Sequence, residues 1–113
     1  MEIKLDDSAL VAMQGLLGDQ FQDTLTFCYS EFERLHHAFE QSLNKDQSEA
    51  IRSVHSLKSN AAQFGAVTLA DTAREIELGL SKGEHAQIQS YIDALPTTIA
   101  LSIERMKQWQ QQS

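Results

Sequence analysis

The chain has 113 residues, 42% of them hydrophobic, with a net charge of −7 and an isoelectric point near 4.9. That length suits one domain, read as residues 1–113, with a single core. Its acidity excludes nucleic acid and anionic membrane as main partners, because both select a basic surface.

The single cysteine, Cys28, rules out an intramolecular disulfide and multi-thiolate zinc sites. It falls on an apolar stripe and reads as a small core residue rather than a nucleophile. The N-terminal residues Met1 to Asp7 lack an apolar signal region, and no apolar run is long enough to span a membrane. The cytoplasm is therefore the expected compartment, and the start at Met1 fits a small protein standing alone.

In chain order, the pattern is helical throughout. Asp6 or Asp7 can cap a short first helix carrying Leu10, Met13 and Leu17 at steps of three and four, with Gly18 at its end. From Asp19 the pattern restarts. Phe21, Leu25, Cys28, Phe32, Leu35, Phe39 and Leu43 form one stripe along a helix of about seven turns, roughly 35 to 40 Å long. Asn44-Lys45-Asp46 breaks it, with Asn44 the expected left-handed cap. A third helix starts near Gln47 or Ser48, with a serine as its cap, and reaches Gly65. The fourth carries Leu69, Ala73, Ile76 and Leu80 to Ser81-Lys82-Gly83, and so short a connection makes the third and fourth helices an antiparallel hairpin. The last begins near Glu84 and places Ile88, Ile92, Leu95, Ile99, Ile103 and Met106 inward. Pro96 is expected to kink or split it, and the glutamines after Trp109 to fray. The sum is an all-α fold: an antiparallel up-down-up-down four-helix bundle with a short extra N-terminal helix covering one end.

Chemistry concentrates on the third helix. At about 100° per residue, Ala50, Val54, Leu57, Ala61 and Phe64 share the buried face, while His55, Lys58, Ser59 and Ala62 gather away from it. A neutral imidazole is nucleophilic near pH 7 and can accept a phosphoryl group. The product carries nearly two negative charges, which Lys58, three residues on, is placed to stabilise; Arg52, three residues back, is a less well placed second cation. Small Ser59 and Ala62 keep the surface beside His55 low enough for a partner to settle, with Ile51 as a marginal apolar contact. His36 and His37 point in different directions and His85 opens the last helix, so a metal site shared with His55 is not expected. Tyr91 and Trp109 read as packing residues.

The run His55-Ser56-Leu57-Lys58-Ser59-Asn60-Ala61-Ala62-Gln63-Phe64-Gly65-Ala66, followed by Leu69, Ala73, Ile76 and Glu77, resembles the signature of histidine-containing phosphotransfer (HPt) domains. Residues 16 to 19 and the stripe of the second helix extend the resemblance over most of the chain. It implies that His55 is the phospho-acceptor, that Lys58 steadies the phosphoryl group, and that Gly65 is the family's glycine closing the histidine-bearing helix. Ser59 and Asn60 stand where glycine and serine are common, which bears on the fit to a given receiver rather than on transfer. Gln63, about two turns from His55, is read as a solvated residue, with ordering of the site as the alternative.

The resemblance further implies a phosphorelay intermediate that exchanges a phosphoryl group with the aspartate of a receiver domain. A hybrid sensor kinase would lie upstream and a response regulator downstream. Such a chain is a monomeric carrier without kinase activity or cofactor of its own, the Mg²⁺ residing in the receiver. The competing expectation is a helical adaptor or dimerisation bundle in which His55 has no chemical task.

Overall fold

The computed structural model describes residues 1–112. It contains α1 (Asp7–Leu17), a short 3-10 turn at Gly18–Gln20, α2 (Phe21–Ser42), α3 (Gln47–Gln63), α4 (Val67–Lys82) and α5 (His85–Gln112). Helices α2 to α5 form the antiparallel up-down-up-down bundle: each packs on the next in sequence, and α5 closes against α2. The molecule measures 42 × 24 × 18 Å, its long dimension set by the longer helices. α1 rests across one end.

The stripes read from the sequence are the core. Leu10, Leu25, Phe32, Phe39, Val54, Leu57, Leu69, Ile76, Leu95 and Met106 are fully buried, and Cys28 and Ile88 nearly so. Gly79 marks where α4 and α5 approach most closely, since a Cβ there would overlap the side chain of Ile88. Trp109 stands edge-on to Phe21, with ring centroids 5.9 Å apart, and Lys107 lies over the ring of Tyr29. Burial and the nearby Glu31 charge push the Cys28 thiol up to about 12, so it stays protonated and unreactive at neutral pH.

Of the two expected caps of α1 it is Asp6 that serves, accepting from the Ser8 amide. Several other local expectations are corrected. Asp46, not a serine, caps α3 through the Glu49 amide. Asn44 is not left-handed, because among the described residues only glycines have positive φ; the turn is closed instead by the Lys45 and Asp46 amides donating to the Ser42 carbonyl. α2 has 22 residues, about six turns and 33 Å, because the chain before it is taken up by the 3-10 turn and Leu43 lies beyond it. Tyr91 is exposed rather than packed.

Pro96 does not split α5, which runs unbroken from His85 to Gln112. A proline inside a helix costs about 3 kcal/mol. Leu95 and Ile99, buried on either side of it, each return roughly 1.5–3 kcal/mol, so the core holds one helix together across the missing donor. The C-terminal glutamines likewise stay helical, and Gln110 accepts a hydrogen bond from the Tyr29 hydroxyl.

Phe32 sits at the middle of this core with no exposed surface. Phe32→Ala is expected to lower unfolding free energy by about 3–5 kcal/mol in urea titrations. A loss below 1 kcal/mol would show that the bundle does not depend on the α2 stripe as described.

Candidate functional site

α3 and α4 are joined by a turn so short that their residues pair in a simple register. His55 and Glu77 lie eleven residues either side of Ala66, and they meet. His55 Nδ1 is 2.6 Å from Glu77 Oε2, and Lys58 Nζ donates to Glu77 Oε1 at 2.6 Å. One carboxylate thus holds both residues. The His55 side chain is 56% exposed, against 30% for Lys58 and 17% for Glu77, so the imidazole faces solvent while the carboxylate holding it is largely covered.

This contact assigns the imidazole tautomer. An ionised carboxylate only accepts hydrogen bonds, so the ring nitrogen facing Glu77 must carry the proton. In the neutral ring the other nitrogen, Nε2, then bears the lone pair. Glu77 therefore does for His55 what an orienting acid does for a general base: it sets which nitrogen is nucleophilic and limits rotation of the ring. Desolvation alone would raise the Glu77 carboxyl, but the hydrogen bonds and charges of Lys58 and His55 outweigh it and hold the group below its usual 4.5. Glu77 is thus an anion at neutral pH, and its charge cancels that of Lys58.

The other expected site residues divide. Ser59 and Ala62 are exposed beside His55, keeping that surface low. Gln63, the last residue of α3, is exposed and lines an apolar groove of about 510 Å³ with Ala9, Met13, Leu16, Leu17 and Thr24. Ile51 is half-buried against the core. Arg52 does not join the cluster; its guanidinium is held by Glu49 at 2.9 Å, one turn back along α3. Gly65 is buried in the α3–α4 turn. His36 lies 3.7 Å from Glu40, and among the described residues no three His, Cys, Asp or Glu side chains form a group able to hold a metal ion.

Glu77, which the sequence offers only as part of the matched pattern, is the carboxylate that the fold places against both His55 and Lys58. The signal was available: a tight antiparallel hairpin brings together residues equidistant from its turn, and Glu77 is the ionisable residue level with His55. Because its folded-state value is depressed, the stability Glu77 contributes is fully present above its unfolded value and lost as pH falls through the folded one. The stability difference between the native chain and Glu77→Gln, measured by urea unfolding, should therefore shrink from pH 7 toward pH 3. A difference that grows on acidification would contradict the ion pair.

The match to a family model described as Hpt domain covers residues 20–109. Among solved structures, the histidine-containing phosphotransfer protein B (HptB) of Pseudomonas aeruginosa PAO1 superposes with a TM-score of 0.87, at 24% identity over 97% of this chain and 96% of that one. The HPT domain of the Hpt sensor hybrid histidine kinase from Shewanella gives a TM-score of 0.74, at 16% identity over 96% of this chain and 95% of that one. At these identities the two structures speak for the fold. No curated protein matches the chain at a significant level.

Proposed function

The chain belongs to the Hpt family of histidine phosphotransfer domains, and we propose that within a two-component phosphorelay it carries the phosphoryl group on Nε2 of His55. The observation that supports this most directly is the Nδ1 contact to Glu77, which leaves Nε2 as the nucleophile. In the forward step the Nε2 lone pair attacks the phosphorus of a receiver's aspartyl phosphate. An N–P bond forms, the P–O bond to the aspartate breaks, and the carboxylate leaves with the bonding electrons. Positive charge on the ring is then shared through the Nδ1 proton with Glu77. Return to a second receiver reverses these bonds.

Since Lys58 and Glu77 neutralise each other, the chain offers little net positive charge to a dianionic phosphoryl group. Lys58 steadies the product by turning part of its hydrogen bonding from Glu77 to the phosphoryl oxygens. The remaining charge and the Mg²⁺ are assigned to the receiver, which makes this chain a carrier rather than a kinase. An upstream hybrid kinase and a downstream response regulator would both use the same face.

That face extends beyond α3. The groove that Gln63 lines includes the exposed Leu16 of α1, and Phe27, one turn along α2 from the groove's Thr24, stands 64% exposed. An apolar surface continuous with the phospho-acceptor helix fits a receiver that docks briefly over a modest area, on the order of 1,200 Å² or less.

Incubation with a phosphorylated receiver should label the chain with acid-labile, alkali-stable phosphate, absent from His55→Gln. Label on another residue, or none from any receiver, would leave the adaptor reading standing. Lys58→Ala should retain the fold and slow transfer by about tenfold, the effect of one charge-assisted contact; unchanged kinetics would remove its role. For docking, Leu16→Asp places a charge on a side chain that is 85% exposed. The KM for phosphorylated receiver should rise about tenfold with the unfolding midpoint unchanged. An unaltered KM would place the receiver elsewhere.

A further inference from the structure

The segment preceding α1 crosses the α3–α4 turn as an extended strand and pairs with it. The Lys4 amide donates to Thr68 Oγ1 at 2.8 Å. The Val67 amide donates to the Lys4 carbonyl at 3.1 Å, and the Asp6 amide to the Gly65 carbonyl at 2.7 Å. Leu5 faces Ala66 in an isolated antiparallel bridge and is partly buried against the core.

Two features of the turn suit the passage of that segment. Ala66, at the N-cap of α4, has no side chain able to cap the helix, so the first amides of α4 lack the usual acceptor. The Lys4 carbonyl supplies one, sharing the Val67 amide with the Gly65 carbonyl at 3.0 Å. Gly65 has φ +75°, and a Cβ there would overlap the carbonyl oxygen of Asp6 and crowd Ala9. Its lack of a side chain therefore serves the passage of the N-terminal strand as well as the reversal of the turn.

α1 needs such an anchor. It has 11 residues, of which only Leu10 is fully buried, and isolated helices of that length are marginal in water. Without the strand it would be tied to the bundle by the Gly18–Gln20 turn and a few side chains. With it, the groove lined by Met13, Leu16 and Gln63 is held at the end of the helix that carries His55.

We infer that Lys4–Asp6 is a positioning strap, seated on Gly65 and Thr68, that fixes α1 beside α3 and thereby sets the affinity for the receiver without touching the phosphoryl chemistry. This rests on the docking surface proposed above. The strap itself is tested independently of that reading.

Thr68→Val removes the acceptor for the Lys4 amide while keeping the shape of the side chain, and Thr68→Ser restores an acceptor. In Thr68→Val, amide hydrogen exchange across Leu10–Leu17 should accelerate about fivefold, the loss of one hydrogen bond, with protection of α3 retained. The KM for phosphorylated receiver should rise by a similar factor at unchanged saturating rate. Phosphorylation by phosphoramidate, which needs no docking, should stay the same, and Thr68→Ser should recover both properties. Gly65→Ala should act in the same direction and more strongly; if it fails to fold, the Thr68 pair carries the test. Unchanged exchange of α1 in Thr68→Val overturns the strap. Faster exchange with unchanged KM overturns its link to docking, and a changed phosphoramidate rate overturns its separation from the chemistry. If no receiver phosphorylates the native chain, the relay reading fails while the exchange result still stands.

Discussion

The short reversal between α3 and α4 is the constraint on which the rest depends. It allows no freedom in how the two helices align, so it brings a carboxylate on one to a histidine on the other at hydrogen-bond distance. The chemistry of His55 follows from that contact: which nitrogen is protonated, which is nucleophilic, and how far the ring can turn. Helices α2 and α5 serve this hairpin by covering its apolar faces, leaving one ridge of α3 in water.

The site is economical in charge. A carboxylate neutralising the neighbouring lysine is a poor phosphate-binding site, and a poor site is what a carrier requires. A strong cationic pocket would trap the phosphoryl group, whereas a relay intermediate must give it up as readily as it takes it. In the proposed relay, the balance between Lys58 and Glu77 would leave a phosphorylated His55 only modestly stabilised. Under the proposed function, catalytic power then lies with whichever receiver is bound.

The N-terminal strand adds a second use of the same turn. Backbone groups that the turn leaves open, at Gly65 and at the uncapped start of α4, are satisfied by residues 4 to 6. The hydrogen-bond requirement of one hairpin thus becomes the attachment point of α1. Buried or half-buried backbone amides must find partners, and here the partner comes from the far end of the chain.

Periodicity made the bundle legible, because each helix must bury an apolar stripe at helical spacing and those stripes are written in consecutive residues. The exposure of His55, with Lys58 on the same face, could be read in the same way. Local capping was less legible: Asp46 and Ser48 are both competent caps, and only the backbone path chose between them. At Pro96 the local tendency of a proline to split a helix was outweighed by burial of Leu95 and Ile99 on either side. Glu77 and the strap over Gly65 were decided by tertiary structure, whereas the pairing of Arg52 with Glu49 is a contact one turn apart within α3 and was open to sequence. Sequence by itself determined which surfaces had to be buried and which residue types could react. Which carboxylate reaches His55, and what covers the turn, depend on distances between segments far apart in the chain, and those exist only once the helices have packed.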